Sequence, residues 1–381
     1  MSEKPAQKPS QSTQIVQKSI QSVKKAMQPT RKPIKQAQKA MRSAQNSAQK
    51  PPHPKSLIEI LQEQGLKPLT EQDFSEIENE WLIDGFLMKQ TLTMIYASAG
   101  SGKSYFAQYL SKFLLENGRI QRVFYFDGDN SKASLKERDF EKLTKIANLH
   151  YFNPQDDSKI TLFDELLKAD DLTNTLIIID SIRNFITEDF NKDFKVMKPL
   201  NKLQTLRDKG ATVIFLHHQP KQKQDENNKT HKGATAFLDS VDEGYFLSNE
   251  SEDSKNDSES EFIIILEPQK KRFPTKPQAF RLDTLNLSLE SVEYLKYAET
   301  NRAYITLNLV KEILNAQNNL CQQDLASELK KRAEQDFVEI VSRNALWKLL
   351  DKYDGVFWDI FYESSQTKGG KKKIFKLIRQ D

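Results

Sequence analysis

The stretch Ala97-Ser98-Ala99-Gly100-Ser101-Gly102-Lys103-Ser104 decides how this chain folds. It follows the apolar run 92–97, which predicts a buried strand, and opens the segment 103–115, whose apolar residues have helical spacing. Small residues between a strand and a helix let successive backbone N–H groups surround one anion, and the positive end of the helix dipole faces the same point. The stretch therefore predicts a phosphate-binding loop.

The spacing of the glycines, the lysine and the serine is that of a nucleotide-binding P-loop, with Ala97 in place of the usual first glycine. Lys103 is predicted to reach the β- and γ-phosphates of ATP or GTP, and Ser104 to bind Mg²⁺. Asp180 ends the apolar strand 176–179 and is predicted to hold the same ion through water. The predicted nucleotide-binding residues are Ala99, Gly100, Ser101, Gly102, Lys103 and Ser104.

Length and composition exclude several classes of protein. A chain of 381 residues is long enough for two domains. Its one cysteine, Cys321, can form neither an internal disulfide nor a cysteine-based metal site, which favours the cytoplasm. No apolar run approaches the roughly 18–20 residues of a membrane span, and the N-terminus lacks the apolar core of a secretory signal. Membrane and secreted proteins are therefore excluded.

Charge divides the chain unevenly. Residues 1–55 contain 12 Lys and Arg and one acid, Glu3, whereas the remainder has 45 basic and 52 acidic residues. The first 54 residues are mostly Gln, Lys, Ser, Ala and Pro, and such a composition cannot bury enough apolar surface to fold. We predict a disordered basic tail over 1–54, which acts either as a linker or as an arm that binds nucleic acid.

Between residues 55 and 298, strand and helix patterns alternate. A short helix around 57–61 leads in, and apolar strands follow at 123–126, 176–179 and 212–216 with helical segments between them. Continuously apolar strands that alternate with helices are typical of a parallel sheet covered on both faces. Further strands are predicted at 245–247 and 262–266, separated by an exposed loop over 249–261. The fold class is therefore α/β.

Residues 299–381 have a different pattern. Three amphipathic helices, the third capped by Ser342, are followed by two alternating segments around a basic tip with two glycines. This order resembles a winged helix-turn-helix domain, which implies binding of duplex DNA or of another protein. The basic residues concerned are Arg343 and Lys348 on the presumed recognition helix, beside Asn344, and Lys368, Lys371 and Lys372 on the wing.

Other polar residues follow the ends of the predicted strands. Asp129 lies just beyond the second strand, with Asp127 before it, and His217-His218 ends the strand 212–216. A basic segment then leads to Gly233-Ala234-Thr235-Ala236-Phe237-Leu238-Asp239, and the pair Lys270 and Arg272 follows the last strand. In this order, from Trp81 to Leu289, these features resemble the RecA-like ATPases, and among them the RepA-like hexameric replicative helicases of plasmids.

The resemblance implies a role for each feature. Asp129 would activate the attacking water, although most relatives have glutamate there, and His218 would sense the γ-phosphate. Lys270 and Arg272 would reach the nucleotide of the next subunit, which requires a homo-oligomer, a hexamer in that family. Lys221, Lys223, Lys229 and Lys232 would bind single-stranded DNA in the central channel.

Less specific interpretations of the same residues stay open at this point. Asp127 or Asp129 can serve an Asx-type turn, His217 can be a core residue, and the basic segments can be solvated surface. The word Asp127-Gly128-Asp129-Asn130 also resembles adenylylsulfate kinase, but the Arg-Gly-Leu-Asn stretch of that family is missing. The functional hypotheses are a DNA-dependent motor, a DNA-binding replication-initiation or regulatory factor that uses ATP as an assembly switch, and a small-molecule kinase.

Overall fold

The computed structural model describes residues 55–75, 79–154, 157–186, 192–219, 235–250, 260–364 and 371–378. It consists of two compact units, Met1–Ile77 and Glu78–Asp381. The predicted tail 1–54 and most of the predicted loop 249–261 lie outside the described residues. None of the helices in the described part of the chain is long and apolar enough to cross a membrane.

The described part of the first unit contains α1 (Leu57–Glu63) and α2 (Glu71–Ser75). α1 begins at a capping box, in which Ser56 Oγ accepts the N–H of Glu59 at 3.3 Å and Glu59 Oε2 accepts the N–H of Ser56 at 2.7 Å. This is the short helix predicted from the apolar residues at 57–61, and its apolar side chains are exposed.

The described strands of the second unit form three sheets. They are β1 (Trp81–Ile83), β2 (Leu87–Met88), β3 (Leu92–Ala97), β4 (Arg122–Asp127), β5 (Leu149–Phe152), β6 (Thr175–Asp180), β7 (Thr212–His218), β8 (Glu243–Asn249), β9 (Glu261–Lys270), β10 (Gln278–Asp283), β11 (Ser288–Val292), β12 (Leu320–Cys321), β13 (Trp358–Ser364) and β14 (Lys371–Leu377). The strands predicted from continuous apolar runs are all present.

The helices of this unit connect the strands and cover the sheet. They are α3 (Lys103–Glu116), α4 (Lys132–Glu137), α5 (Asp157–Leu166), α6 (Asp193–Asp208), α7 (Ala236–Asp239), α8 (Tyr294–Ala298), α9 (Asn301–Ala316), α10 (Gln322–Gln335) and α11 (Arg343–Lys352), with 3-10 helices at Phe140–Lys145 and Ile182–Phe185. α3 ends where the sequence predicts, because Gly118 takes a φ of 63° just beyond it.

The largest sheet has nine strands in the order β11-β10-β9-β8-β3-β7-β6-β4-β5. The strands from β8 to β5 are parallel, and β9, β10 and β11 add to the β8 edge in antiparallel orientation. The predicted mostly parallel sheet is confirmed. β7 lies between the P-loop strand β3 and the strand β6 that ends in Asp180, which is the RecA-like arrangement that the resemblance implies.

Strand register brings the predicted site residues to one edge of this sheet. Ala97 pairs with His218 across β3 and β7, and Asp127 pairs with Asp180 across β4 and β6. All of these residues end their strands, and the strands are parallel. The loops that follow them therefore meet at the carboxyl edge of the sheet, where α/β folds bind ligands.

The C-terminal elements include the three predicted helices, α9, α10 and α11, and a three-stranded antiparallel sheet in the order β12-β14-β13. Trp358 is fully buried, and its Nε1 donates to Leu350 O at 2.9 Å. Ile263 and Ile265 of β9 belong to the same hydrophobic core as these helices. The boundary between residues 298 and 299 therefore lies within a continuous core, and its place as a domain boundary stays a prediction.

Candidate nucleotide site

The P-loop owes its shape to two glycines. Gly100 and Gly102 have φ values of 81° and 87°, in the left-handed region that other residues rarely adopt. Gly102 also caps the N-terminus of α3, and a Cβ atom built on it would lie 2.9 Å from Phe262 Cε2. The loop therefore requires glycine at position 102 both for its backbone conformation and for the close approach of β9.

Lys103 lies folded back on this loop. Its Nζ donates to Ser98 O at 2.9 Å, and the side chain is largely buried. Burial lowers the pKa of Lys103, while the nearby carboxylates of Asp180 and Asp129 oppose that shift. A phosphate group in the loop would offer this ammonium a stronger, charged acceptor than a backbone carbonyl.

Asp180 and Ser104 form the predicted Mg²⁺ site. Asp180 is buried at the end of β6, accepts a hydrogen bond from Tyr125 OH at 2.8 Å, and is hydrogen-bonded to Ser104. Burial, with a contribution from Asp127, raises the pKa of Asp180 to about 6. A hydroxyl beside a carboxylate that is crowded by other acids fits a hard divalent cation, which prefers oxygen ligands and would relieve the repulsion.

Asp127 serves a turn. Its Oδ1 accepts the N–H groups of Asp129 at 2.9 Å and Asn130 at 2.8 Å, and its Oδ2 accepts from the Asn130 side chain at 2.8 Å and from Tyr151 OH. The carboxylate is fully buried. The Asx-type interpretation therefore holds for Asp127, and Asp129 is the acid that faces the site.

Asp129 contacts residues from two other strand ends. Its Oδ2 lies 3.4 Å from His218 Nε2, and its Oδ1 accepts from the Asn184 side chain. Ser181 Oγ lies 3.2 Å from the same His218 nitrogen. Burial raises the pKa of Asp129, but hydrogen bonds from His218, Asn184 and Ser181 outweigh burial and lower the pKa below its ordinary value. Asp129 is therefore ionised at neutral pH.

Ser181 and Asn184 are site residues that the sequence analysis missed. They directly follow Asp180, and the peptide bond between Asp180 and Ser181 is cis. The available signal was their position after a strand that ends in an acid beside a P-loop. His217, by contrast, is buried against Phe237, with ring centroids 4.5 Å apart, so it is a core residue.

Lys270 and Arg272 lie at the opposite edge of the sheet from the P-loop. Lys270 pairs with Gly244, which in turn pairs with Met94 near the start of β3, whereas the P-loop follows the end of β3. Lys270 Nζ donates to Leu238 O at 2.9 Å, and Arg272 Nη1 lies 2.6 Å from Asp242 Oδ1. These cations therefore do not reach the P-loop of their own chain.

The candidate DNA-binding residues are only partly described. Lys221, Lys223, Lys229, Lys232 and Lys368 lie outside the described residues. Arg343 and Lys348 are exposed on α11, and Lys371 and Lys372 are exposed at the start of β14. Lys373 of β14 forms an ion pair with Asp351 of α11, which joins the hairpin to this helix.

The AAA domain family model matches residues 62–224. The matched segment contains the P-loop, Asp129, Asp180 and His218, on strands in the order that the RecA-like fold requires. The chain is a RecA-like P-loop ATPase. Lys270, Arg272 and the C-terminal helices of this ATPase lie beyond the matched segment.

Solved structures similar to this ATPase resemble it distantly. A structure of an isolated ATPase domain has 14% sequence identity and a TM-score of 0.45, over 63% of this chain and 100% of that chain. A structure of a DnaB-like replicative helicase and its interactions with primase has 15% identity and a TM-score of 0.44, over 74% of this chain and 76% of that chain. No curated protein matches the chain.

Within the described residues, no group of three or more His, Cys, Asp or Glu side chains could hold a metal ion. The two residues predicted to bind Mg²⁺, Ser104 and Asp180, would therefore share the ion with the phosphate oxygens of the nucleotide.

Proposed function

We propose that this protein is a DNA-dependent motor, a RepA-like DNA helicase of a plasmid or mobile element, which couples ATP hydrolysis to movement along single-stranded DNA. One observation carries the proposal. The nucleotide-binding residues and the acid Asp129 meet at one edge of the sheet, whereas Lys270 and Arg272 lie at the other edge. A complete site then needs two copies of the chain, as in a ring-shaped motor.

The chemistry would divide among residues of the carboxyl edge. Mg²⁺, held by Ser104 and Asp180, would neutralise charge on the phosphates. Lys103 would leave Ser98 O for the β- and γ-phosphates. Asp129, ionised and held by Asn184, would orient the attacking water and accept its proton.

His218 would connect the γ-phosphate to DNA. It contacts Asp129 at the end of β7, and the chain continues from there into the segment with Lys221, Lys223, Lys229 and Lys232. A change at the γ-phosphate would move His218 and with it the start of the basic segment. These four lysines would bind the phosphates of single-stranded DNA in the channel of a homo-hexamer.

Cations delivered by a neighbour would complete the site. Arg272 is half-exposed, and its guanidinium can approach a second copy of the chain. Positive charge at this point stabilises the charge that develops on the transferred phosphoryl group. The C-terminal elements would act as a winged helix that binds duplex DNA through Arg343, Lys348, Lys371 and Lys372. The cytoplasm is the location that we propose.

Steady-state ATP hydrolysis with and without single-stranded DNA tests the motor. We expect DNA to stimulate the wild-type protein, and we expect Lys103→Ala and Arg272→Ala each to lose at least about 100-fold in kcat, as removal of one charge-stabilising group does. Lys271→Ala is the matched control, because Lys271 lies between the two cations, is exposed and has no proposed role. Hydrolysis that DNA does not change would contradict the motor.

The alternative is a DNA-binding replication-initiation or regulatory factor that uses ATP as an assembly switch. The shared core between β9 and the C-terminal helices favours it, because assembly through Arg272 and DNA binding through α11 would then involve one rigid body. A strand-separation assay distinguishes the two. ATP-dependent assembly on DNA without unwinding would support the switch, and phosphoryl transfer to a small molecule without DNA would support a kinase.

A further inference from the structure

Two consecutive acids, Asp242 and Glu243, lie where β8 begins, and both are buried. They bind the segment that carries Arg272, one of the two cations proposed to act on the neighbouring subunit. Neither acid belongs to the nucleotide site at the opposite edge of the sheet. Their contacts with Arg272 therefore need an explanation of their own.

Glu243 holds the backbone of this segment. Its Oε1 accepts the N–H groups of Arg272 and Phe273, each at 3.0 Å, and its Oε2 accepts from Thr275 Oγ1 at 3.2 Å. A buried carboxylate that accepts backbone N–H groups binds them firmly, because charge-assisted hydrogen bonds are stronger than neutral ones. The turn from β9 to β10 is thus fixed at the residue that carries the guanidinium.

Asp242 holds the guanidinium itself. Its Oδ1 accepts from Arg272 Nη1 at 2.6 Å and from Arg207 Nη1 at 3.0 Å. Its Oδ2 accepts the N–H of Leu92 at 2.8 Å, and its own N–H donates to Leu92 O at 2.8 Å. Asp242 is thereby fastened to the first residue of the P-loop strand, and it divides its charge between two arginines.

We propose that Asp242 and Glu243 are positioning residues that hold Arg272 in the orientation in which it meets the nucleotide of the neighbouring subunit. This inference rests on the proposed role of Arg272. A long side chain at an exposed turn loses conformational freedom when it contacts a phosphate, and holding it beforehand removes that cost from the transition state. Because Asp242 shares its charge with Arg207, the positive charge of Arg272 is not cancelled.

The test compares Asp242→Asn, Arg272→Ala and the double variant in DNA-stimulated ATP hydrolysis by the full chain. Asparagine can still accept the N–H of Leu92 through Oδ1 but loses the charge that holds the guanidinium. We expect kcat of Asp242→Asn to fall about tenfold with KM for ATP changed less than about twofold, which is the pattern of an interaction made in the transition state. The double variant should be no slower than Arg272→Ala, since residues that act as one unit are not additive.

Arg207→Gln is the matched control, because it removes the other partner of Asp242 and leaves Arg272 in place. We expect its kcat to change less than about twofold. Should Asp242→Asn fail to fold, Glu243→Gln is the second variant; it should lower kcat in the same direction, and the loss should again disappear in an Arg272→Ala background.

The outcomes separate this inference from the proposed function. If Arg272→Ala leaves kcat unchanged, both the role of Arg272 and its positioning are wrong. If Arg272→Ala lowers kcat but Asp242→Asn does not, or if the two losses multiply in the double variant, only the positioning is wrong.

Discussion

Asp129 and His218 touch across a strand that separates them. Asp129 follows β4 and His218 ends β7, and β6 lies between these strands in the sheet. Their side chains nevertheless approach to 3.4 Å, from Oδ2 to Nε2, above the end of β6 where Ser181 and Asn184 join the same group. Water activation and γ-phosphate sensing would therefore occur at a single hydrogen-bonded cluster.

Replacing Asp129 should separate catalysis from binding. We expect Asp129→Asn to bind ATP normally and to lose about 100-fold or more in kcat, because the amide accepts no proton from water. Asp127→Ala is the contrasting variant. It should lower the free energy of unfolding by about 2 kcal/mol, since two buried N–H groups lose their acceptor. Normal hydrolysis by Asp129→Asn would assign the role to another residue.

The raised pKa of Asp180 predicts a pH-dependent stability. Burial disfavours the carboxylate, so its ionisation costs the folded protein free energy above pH 6, and the cost disappears as pH falls through about 6 toward the unfolded value. In EDTA and without nucleotide, we expect Asp180→Asn to melt at a higher temperature than wild type at pH 7.5, by the equivalent of at most about 3 kcal/mol. The difference should shrink at pH 5.

The exposed Asp170 provides a control for this measurement. Asp170→Asn should leave the melting temperature unchanged at both pH values, because its carboxylate is solvated in the folded and unfolded states. A stability gain in Asp180→Asn that does not depend on pH would contradict the assigned cause.

Gly100 and Gly102 form a matched pair. Both have positive φ, so alanine at either position should cost about 1 kcal/mol of backbone strain. At Gly102 the new Cβ would also meet Phe262, whereas at Gly100 no atom lies within 4 Å. We expect Gly102→Ala to weaken ATP binding more than Gly100→Ala, as measured with a fluorescent nucleotide. Equal effects would mean that contact with β9 does not shape the loop.

Removing residues 299–381 tests the predicted boundary. Ile263 and Ile265 are buried in a core shared with the C-terminal helices, so the shortened chain would expose them. We expect a lower melting temperature and aggregation on heating. The control is Phe337→Ala, which changes an almost fully exposed side chain and should leave melting unchanged. A truncated chain that melts like wild type would establish 55–298 as an independent domain.

Much of the site could be predicted because its signals are local. The strand–loop–helix around Gly102 and Lys103, the acid at the end of the strand 176–179 and the histidines at the end of the strand 212–216 are all contained in short segments. A parallel sheet then places such strand ends at one edge, whatever the order of its strands. Asp180, Asp129 and His218 were therefore found without knowing their neighbours.

Other features depended on pairing between distant segments. β5, β10 and β11 were missed because these edge or near-edge strands lack the continuous apolar runs of the buried parallel strands. The choice between Asp127 and Asp129 needed the position of Tyr151, and the contacts of Asp242 needed Arg207, Leu92 and Arg272 together.

The sequence by itself determined that this protein is an α/β P-loop protein with its phosphate site at the start of α3, because a buried strand, a small-residue turn and a helix are specified by adjacent residues. Only the tertiary structure decided which acid faces that site, that Ser181 and Asn184 join it, and that Lys270 and Arg272 lie too far away to complete it. These decisions follow from strand order and register, which are fixed by hydrogen bonds and packing between residues far apart in the chain.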